Sequence, residues 1–220
     1  MNFPYTVLYK YTNRKFAVQM IDKGEVLINT LENLRNEDKY DLEIGDKGEG
    51  TQETYMRGKT ISQSNPQSVP PTIKRMISQG KLKLGSGKIT IGGSVIEKSG
   101  NVYIYSLSTN NQLLPQFIKK TNNYYNTVVE ISNVAEFIRL LSGCLYRNDL
   151  RIKQCIHRPI EYIKRDQELE TQTNIHPIFV KDPSRHKWQK EHRFVWTSLN
   201  NNIAPVIIQC PEIKKHLSII

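Results

Sequence analysis

Apolar and polar positions alternate over residues 7–11, which predicts a short strand, and the period then changes. Over residues 14–23, Phe16, Ala17, Met20 and Ile21 recur at the spacing of one helix face, and Gly24 ends the stripe. Residues 25–29 return to a strand pattern. The clearest alternation is NVYIYSLS at 101–108, with Val102, Ile104 and Ser106 on one face and Tyr103, Tyr105 and Leu107 on the other. Further strands are predicted at 127–131, 160–163, 191–197 and 206–209, and a short amphipathic helix at 134–141.

The intervening segments lack such periods. Residues 31–50 are rich in Asn, Asp, Glu and Gly, including Asp38, Asp41, Asp46 and Glu49, and predict an acidic loop. Residues 51–75 hold Gln, Ser, Asn and Pro, ending near Pro70-Pro71, and predict an exposed, flexible loop. Residues 81–98 alternate around Gly85, Gly87, Gly92 and Gly93, as in a glycine-broken hairpin. Strands and helices mix without a βαβ repeat or internal period, which predicts an α+β fold. At 220 residues one core suffices, so a single domain spanning 1–220 is expected.

Charge adds a partner class. Thirty-one Lys and Arg against twenty-one Asp and Glu leave a surplus of +10, which attracts polyanions or anionic small molecules such as dinucleotides and makes nucleic acid the expected partner, a solubility charge being the plainer reading. Cys144, Cys155 and Cys210 lack CxxC spacing and read as core thiols of a reducing compartment. The five histidines lack ligand spacing, so no metal is expected. No segment approaches the ~20 apolar residues of a membrane span, and the start of the chain lacks a signal-peptide core. A cytoplasmic protein with no membrane association is expected. Phosphate-loop, dinucleotide-fingerprint and serine-hydrolase motifs are missing from the sequence.

Three stretches carry candidate chemistry. Leu8-Tyr9-Lys10-Tyr11-Thr12 is a strand ending in a polar cluster before a helix, where an anion can bind. Tyr105-Ser106-Leu107-Ser108 places hydroxyls at alternate strand positions. In the stretch 187–196, a strand would project Gln189, Glu191 and Arg193 from one face. A carboxylate beside a carboxamide and a cation suits polarising a ribose hydroxyl and steadying a positively charged transition state. The plainer reading is an edge strand with a solvated ion pair. Two other readings stand beside these. In a non-catalytic nucleic-acid-binding or sensor module, Tyr103, Tyr105, Tyr124 and Tyr125 stack on bases, and Lys119, Lys120, Arg151 and Lys153 contact phosphates. A metal-independent nuclease would instead use His157 or His192.

The order YKYT, an Asn/Asp-rich loop ending at Asp46-Lys47-Gly48-Glu49-Gly50, YSLS and W-Q-K-E-H-R resembles an uncharacterised bacterial domain family linked to abortive infection and phage defence. The same layout is similar to that of ADP-ribosyltransferases, in which a first-strand Arg or His, a middle Ser or Tyr motif and a late Glu surround NAD. Gln189-Lys190-Glu191 matches the Gln-x-Glu form of the late motif, while Lys10 stands where the family carries Arg or His. The resemblance implies split β-sheets with flanking helices and NAD as substrate. It makes the protein a mono-ADP-ribosyltransferase toxin acting on RNA or DNA, countered by an antitoxin protein. By the same resemblance Glu191 is catalytic and Gln189 addresses the acceptor. Ser106 or Ser108 supports Glu191, and Tyr9, Lys10, Thr12 and Arg193 complete the NAD site.

Overall fold

The computed structural model describes residues 4–36, 45–62, 69, 71–83, 88–148, 150–168, 175–200 and 202–220. In chain order the elements begin with β1 (Val7–Thr12), α1 (Arg14–Lys23), β2 (Glu25–Thr30) and α2 (Leu31–Leu34). Next come β3 (Thr51–Ser62), α3 (Pro71–Ser78), β4 (Lys88–Lys98), β5 (Tyr103–Ser108) and α4 (Leu114–Lys120). The middle of the chain adds β6 (Thr127–Ser132), α5 (Val134–Arg147), β7 (Ile152–Pro159), β8 (Glu161–Tyr162) and β9 (Asp166–Glu168). The last elements are β10 (Val180–Lys181), α6 (Pro183–His186), β11 (Glu191–Ser198), β12 (Val206–Gln209) and β13 (Leu217–Ile219). Helices and sheets mix, so the fold is α+β. No helix among the described residues is long and apolar enough to cross a membrane.

Where the sequence reads as a single domain, the chain divides into two compact units. One comprises Met1–Glu49, Gly100–Ile160 and Ser184–Ile220; the other comprises Gly50–Ser99 and Glu161–Pro183.

Among the described residues the first unit holds one eight-stranded sheet, ordered β12-β2-β5-β1-β6-β13, with β11 and β7 branching from β5. The branch arises because β5 has too many neighbours for a simple ladder. Along one edge it pairs with β11 over its whole length. On the other it meets β2 at Tyr103 and Ile104 and β1 only at Ser108. One face of this sheet is the core, where Leu8, Tyr105, Leu107, Phe194 and Trp196 meet α5.

Helix α5 buries Val134, Phe137, Ile138, Leu141, Cys144 and Leu145, a stripe at i, i+3, i+4, i+7, i+10 and i+11. Each fully buried large apolar side chain stabilises by about 1.5–3 kcal/mol. That packing carries the helix through Ser142-Gly143, where the sequence pattern alone ends it at 141. The Trp196 indole donates to Ser142 Oγ over 2.9 Å, so the one polar atom of this buried ring is satisfied.

Helix α1 is capped by Asn13, whose side chain accepts from the Lys15 amide, and it lays Ala17 and Met20 on Val129. Phe16, placed on the same stripe by the sequence pattern, is instead exposed. Gly24 closes the helix at φ 70°, where a Cβ would collide with the Cys210 carbonyl.

Cys144 and Cys210 form a disulfide, with Cα atoms 5.9 Å apart, rather than the core thiols expected. They lie 66 residues apart and are joined only because α5 packs on the 3₁₀ turn Pro211–His216, a contact that no spacing motif encodes. Cys155 remains a free thiol, and burial raises its pKa to about 11.

In the second unit β3 pairs antiparallel with β4 and parallel with β9. The expected loop over 51–75 is therefore largely regular structure: β3 occupies 51–62 and α3 occupies 71–78, while 63–68 and 70 lie outside the described residues. Strand β3 escaped detection because its inward positions include Gln52 and Thr54, both buried, so no apolar alternation marks it. Lys88–Lys98 is likewise one strand through Gly92-Gly93, not a hairpin.

Candidate active site

Register places the candidate residues before any side chain is considered. Tyr9 pairs with Ser108, and Ser108 pairs with Glu191, so the three form a row across β1, β5 and β11. Ser106 and Arg193 form the next row, extended by Arg158 on β7. Paired residues project from one face, opposite the face that carries Leu107, His192 and Phe194 into the core.

On this face Glu191 is the hub. The Ser106 hydroxyl donates to Glu191 Oε1 over 2.5 Å, and Arg193 Nε donates to the same oxygen over 2.8 Å. Arg193 Nη1 turns the other way, to Glu49 Oε1 at 2.8 Å. Arg193 is fully enclosed, with Glu49 at 1% and Glu191 at 5% exposure. Burial pushes the Arg193 pKa down, and the charges of Glu191 and then Glu49 more than reverse the effect, leaving it raised.

The acidic segment is thus partly buried. Glu49 and Asp46 belong to one turn, in which the Asp46 side chain accepts the Gly48 amide over 3.0 Å. Asp46 Oδ2 lies 3.5 Å from His186 Nε2, and Arg35 Nε donates to the Glu49 carbonyl over 2.8 Å. Asp38 and Asp41 lie outside the described residues. Within the acidic loop, Asp46 and Glu49 are buried, Glu49 against the Arg193 guanidinium and Asp46 beside the His186 ring. The sequence offered no periodic signal for either; the only hint was acid residues in a basic chain.

Lys10 alternates with Tyr9 and so lies on the opposite face, with Leu8 and Tyr105, where it meets only the backbone of the site. Between its contacts with β2 and β1, the β5 edge carries the Ser106 carbonyl, and Lys10 Nζ donates to it over 3.0 Å. The same ammonium lies 4.5 Å from the centre of the Tyr105 ring. Burial lowers the Lys10 pKa to about 8, against the raising effect of Glu191.

Other sequence candidates fall further out. Gln189 does not share the strand face of Glu191. It ends the 3₁₀ turn Lys187–Gln189, and Lys190 follows in the left-handed region at φ 48°, so β11 starts only at Glu191. Ser108 Oγ donates to the Gln189 carbonyl over 2.9 Å, and the Thr109 amide donates to the Lys190 carbonyl over 3.0 Å. These bonds fix the turn beside the site. Thr12 is buried at the far end of β1, paired with Thr127.

Two alternatives lose some of the residues named for them. Tyr103 and Tyr105 are 3% and 2% exposed, so neither can stack on a base. His157 Nδ1 and His192 Nε2 are 3.2 Å apart, but His192 lies on the core face beside Tyr5 and Phe194. Burial, with His157 adding to it, lowers the His192 pKa to about 4. Among the described residues Cys144, Cys210 and Glu212 bring potential ligand atoms within 4.8 Å of one another, but sulfurs bonded to each other offer no thiolate to a metal. No family model, curated protein or solved structure matches the chain.

Proposed function

We propose that the protein is an NAD-consuming mono-ADP-ribosyltransferase that modifies nucleic acid, with Glu191 as its catalytic carboxylate. The observation that carries this reading is the Ser106–Glu191–Arg193 arrangement on adjacent strands. A carboxylate oriented by a hydroxyl and a guanidinium is preorganised to face developing positive charge. Glu191 steadies the ribose of NAD as the bond from C1′ to nicotinamide nitrogen breaks. An acceptor nitrogen or oxygen then bonds to C1′ and releases its proton, while nicotinamide leaves as the neutral base.

The other residues divide into contact and support. Lys10 supplies a cation for the NAD phosphates, and Tyr9 stands on the row of Glu191. Arg193, enclosed between two carboxylates, acts through Glu191 rather than on NAD. The Gln189 side chain sits on the turn leading into β11, at the acceptor's side. In a bacterial defence setting such an activity calls for an antitoxin partner.

A second reading rests on the burial of Glu191 itself: a 5% exposed carboxylate with a guanidinium partner also suits a structural ion network in a non-catalytic nucleic-acid-binding module. Incubation with labelled NAD and total RNA, DNA or protein separates the two. The transferase releases nicotinamide and labels a nucleic acid, and Glu191→Gln abolishes both. Absence of label and of nicotinamide in every arm leaves the binding module.

A further inference from the structure

Three segments without a single acidic residue meet beside the turn that leads into Glu191. Residues 4–21, 110–126 and 183–190 contain Lys, and the first and last also Arg, but none contains Asp or Glu. Their aromatic side chains hold them together: Tyr11 stacks on Phe117 at 4.2 Å, and Trp188 meets Phe117 edge-on at 4.6 Å. Tyr125 approaches Phe117 at 5.9 Å and carries Tyr124 beside it at 5.1 Å. The Trp188 indole donates to the Arg185 carbonyl over 2.9 Å, which fixes the ring, and Lys120 Nζ lies 5.4 Å from its centre. The start of α1 joins the same face, since Asn13 Nδ2 donates to the Tyr124 carbonyl and the Arg14 amide to Asn126 Oδ1.

The outer surface of this cluster is aromatic and cationic at once. Tyr124 is 49% exposed and Trp188 half-buried, while Lys119, Lys187 and Lys190 stand exposed and Lys120 half-buried around them. Planar rings interleaved with cations suit unpaired bases on a phosphate backbone, because every base offers a π-face and every linkage a charge. A duplex hides those faces within its stack, and an acidic peptide leaves the rings unused.

We infer that this face binds single-stranded nucleic acid, with bases on Tyr124 and Trp188 and phosphates against Lys119, Lys120, Lys187 and Lys190. The chain continues directly from Lys190 into Glu191, so a strand on this face lies alongside the carboxylate. That last placement rests on the transferase reading; the binding itself does not.

The experiment is fluorescence anisotropy with the full chain, without NAD, against labelled single-stranded RNA, single-stranded DNA and a duplex of the same sequence. Both or one of the single strands should bind more tightly than the duplex, and the RNA and DNA arms identify the natural ligand. Affinity should fall with salt at a log–log slope of roughly −0.7 for each phosphate neutralised. Tyr124→Ala should weaken binding about fivefold or more. Lys119→Glu combined with Lys187→Glu should weaken it further and flatten the salt slope. All three positions are exposed, so unfolding midpoints should stay unchanged. Failure of both single strands to bind, preference for the duplex, or unchanged affinity in the Tyr124 and lysine variants overturns the inference. Nicotinamide release from NAD alone, unaffected in these variants, tests the transferase reading independently.

Discussion

The Ser106 hydroxyl donates to Glu191 Oε1 over 2.5 Å, a bond between residues 85 apart in sequence that the pairing of β5 with β11 brings onto one sheet face. Hydrogen bonds to a charged group contribute about 1.5–3 kcal/mol. On the transferase proposal, Ser106→Ala should therefore slow nicotinamide release roughly tenfold or more, less than Glu191→Gln, whose loss on the order of 100-fold or more removes the electrostatic contribution itself. Steady-state assays on the two variants give that ranking; equal rates for Ser106→Ala and the parent protein would remove Ser106 from the site.

Arg193 is the residue on which the buried charges depend. Its replacement by Met leaves Glu49 and Glu191 without their shared guanidinium, and breaking such a buried pair costs about 3–5 kcal/mol. Urea unfolding should show that loss, and adding Glu49→Gln to the Met variant should recover part of it. A loss below about 1 kcal/mol would place the cluster in the class of weak surface pairs.

His192 makes stability depend on acid. Its folded pKa of about 4 lies below the ordinary 6.5, so the unfolded chain binds the proton first and stability falls as pH drops from 6.5 towards 4. The full effect is on the order of 3 kcal/mol for this buried ring. Unfolding midpoints of the parent and His192→Phe should converge or cross between pH 7 and pH 5, the variant showing the flatter profile. His157, also lowered by burial, contributes in the same direction and leaves some slope behind.

The Cys144–Cys210 bridge spans 66 residues, and closure of a loop that size stabilises by about 4 kcal/mol on the chain-entropy account. Thiol titration of the denatured, unreduced protein should find one free cysteine, Cys155. Dithiothreitol should lower the melting temperature, and Cys210→Ser should lower it equally while becoming insensitive to the reductant.

Several elements were legible from local pattern alone. Strands β1, β2, β5, β6, β11 and β12 and helix α1 appear close to their expected positions, because each alternates or repeats against a core of its own making. Strand β7 was not legible: Lys153, Gln154, His157 and Arg158 leave it almost without apolar alternation, and only its ladder with β11 makes it a strand. Gln189 was misplaced by the same kind of argument, since strand periodicity was extended across Lys190, whose left-handed backbone starts the strand two residues later.

Sequence by itself determined the mixed α+β character, the basic surplus and the alternation that sets Glu191 and Arg193 on one side of β11 and Ser106 and Ser108 on one side of β5. Those are local properties, carried by period and charge. Tertiary structure alone decided that Ser106 faces Glu191, that Glu49 and Asp46 turn inward, and that Cys144 meets Cys210. Each of these joins residues far apart in the chain. Strand order, register and the satisfaction of buried charge select such pairings, and no local pattern encodes them.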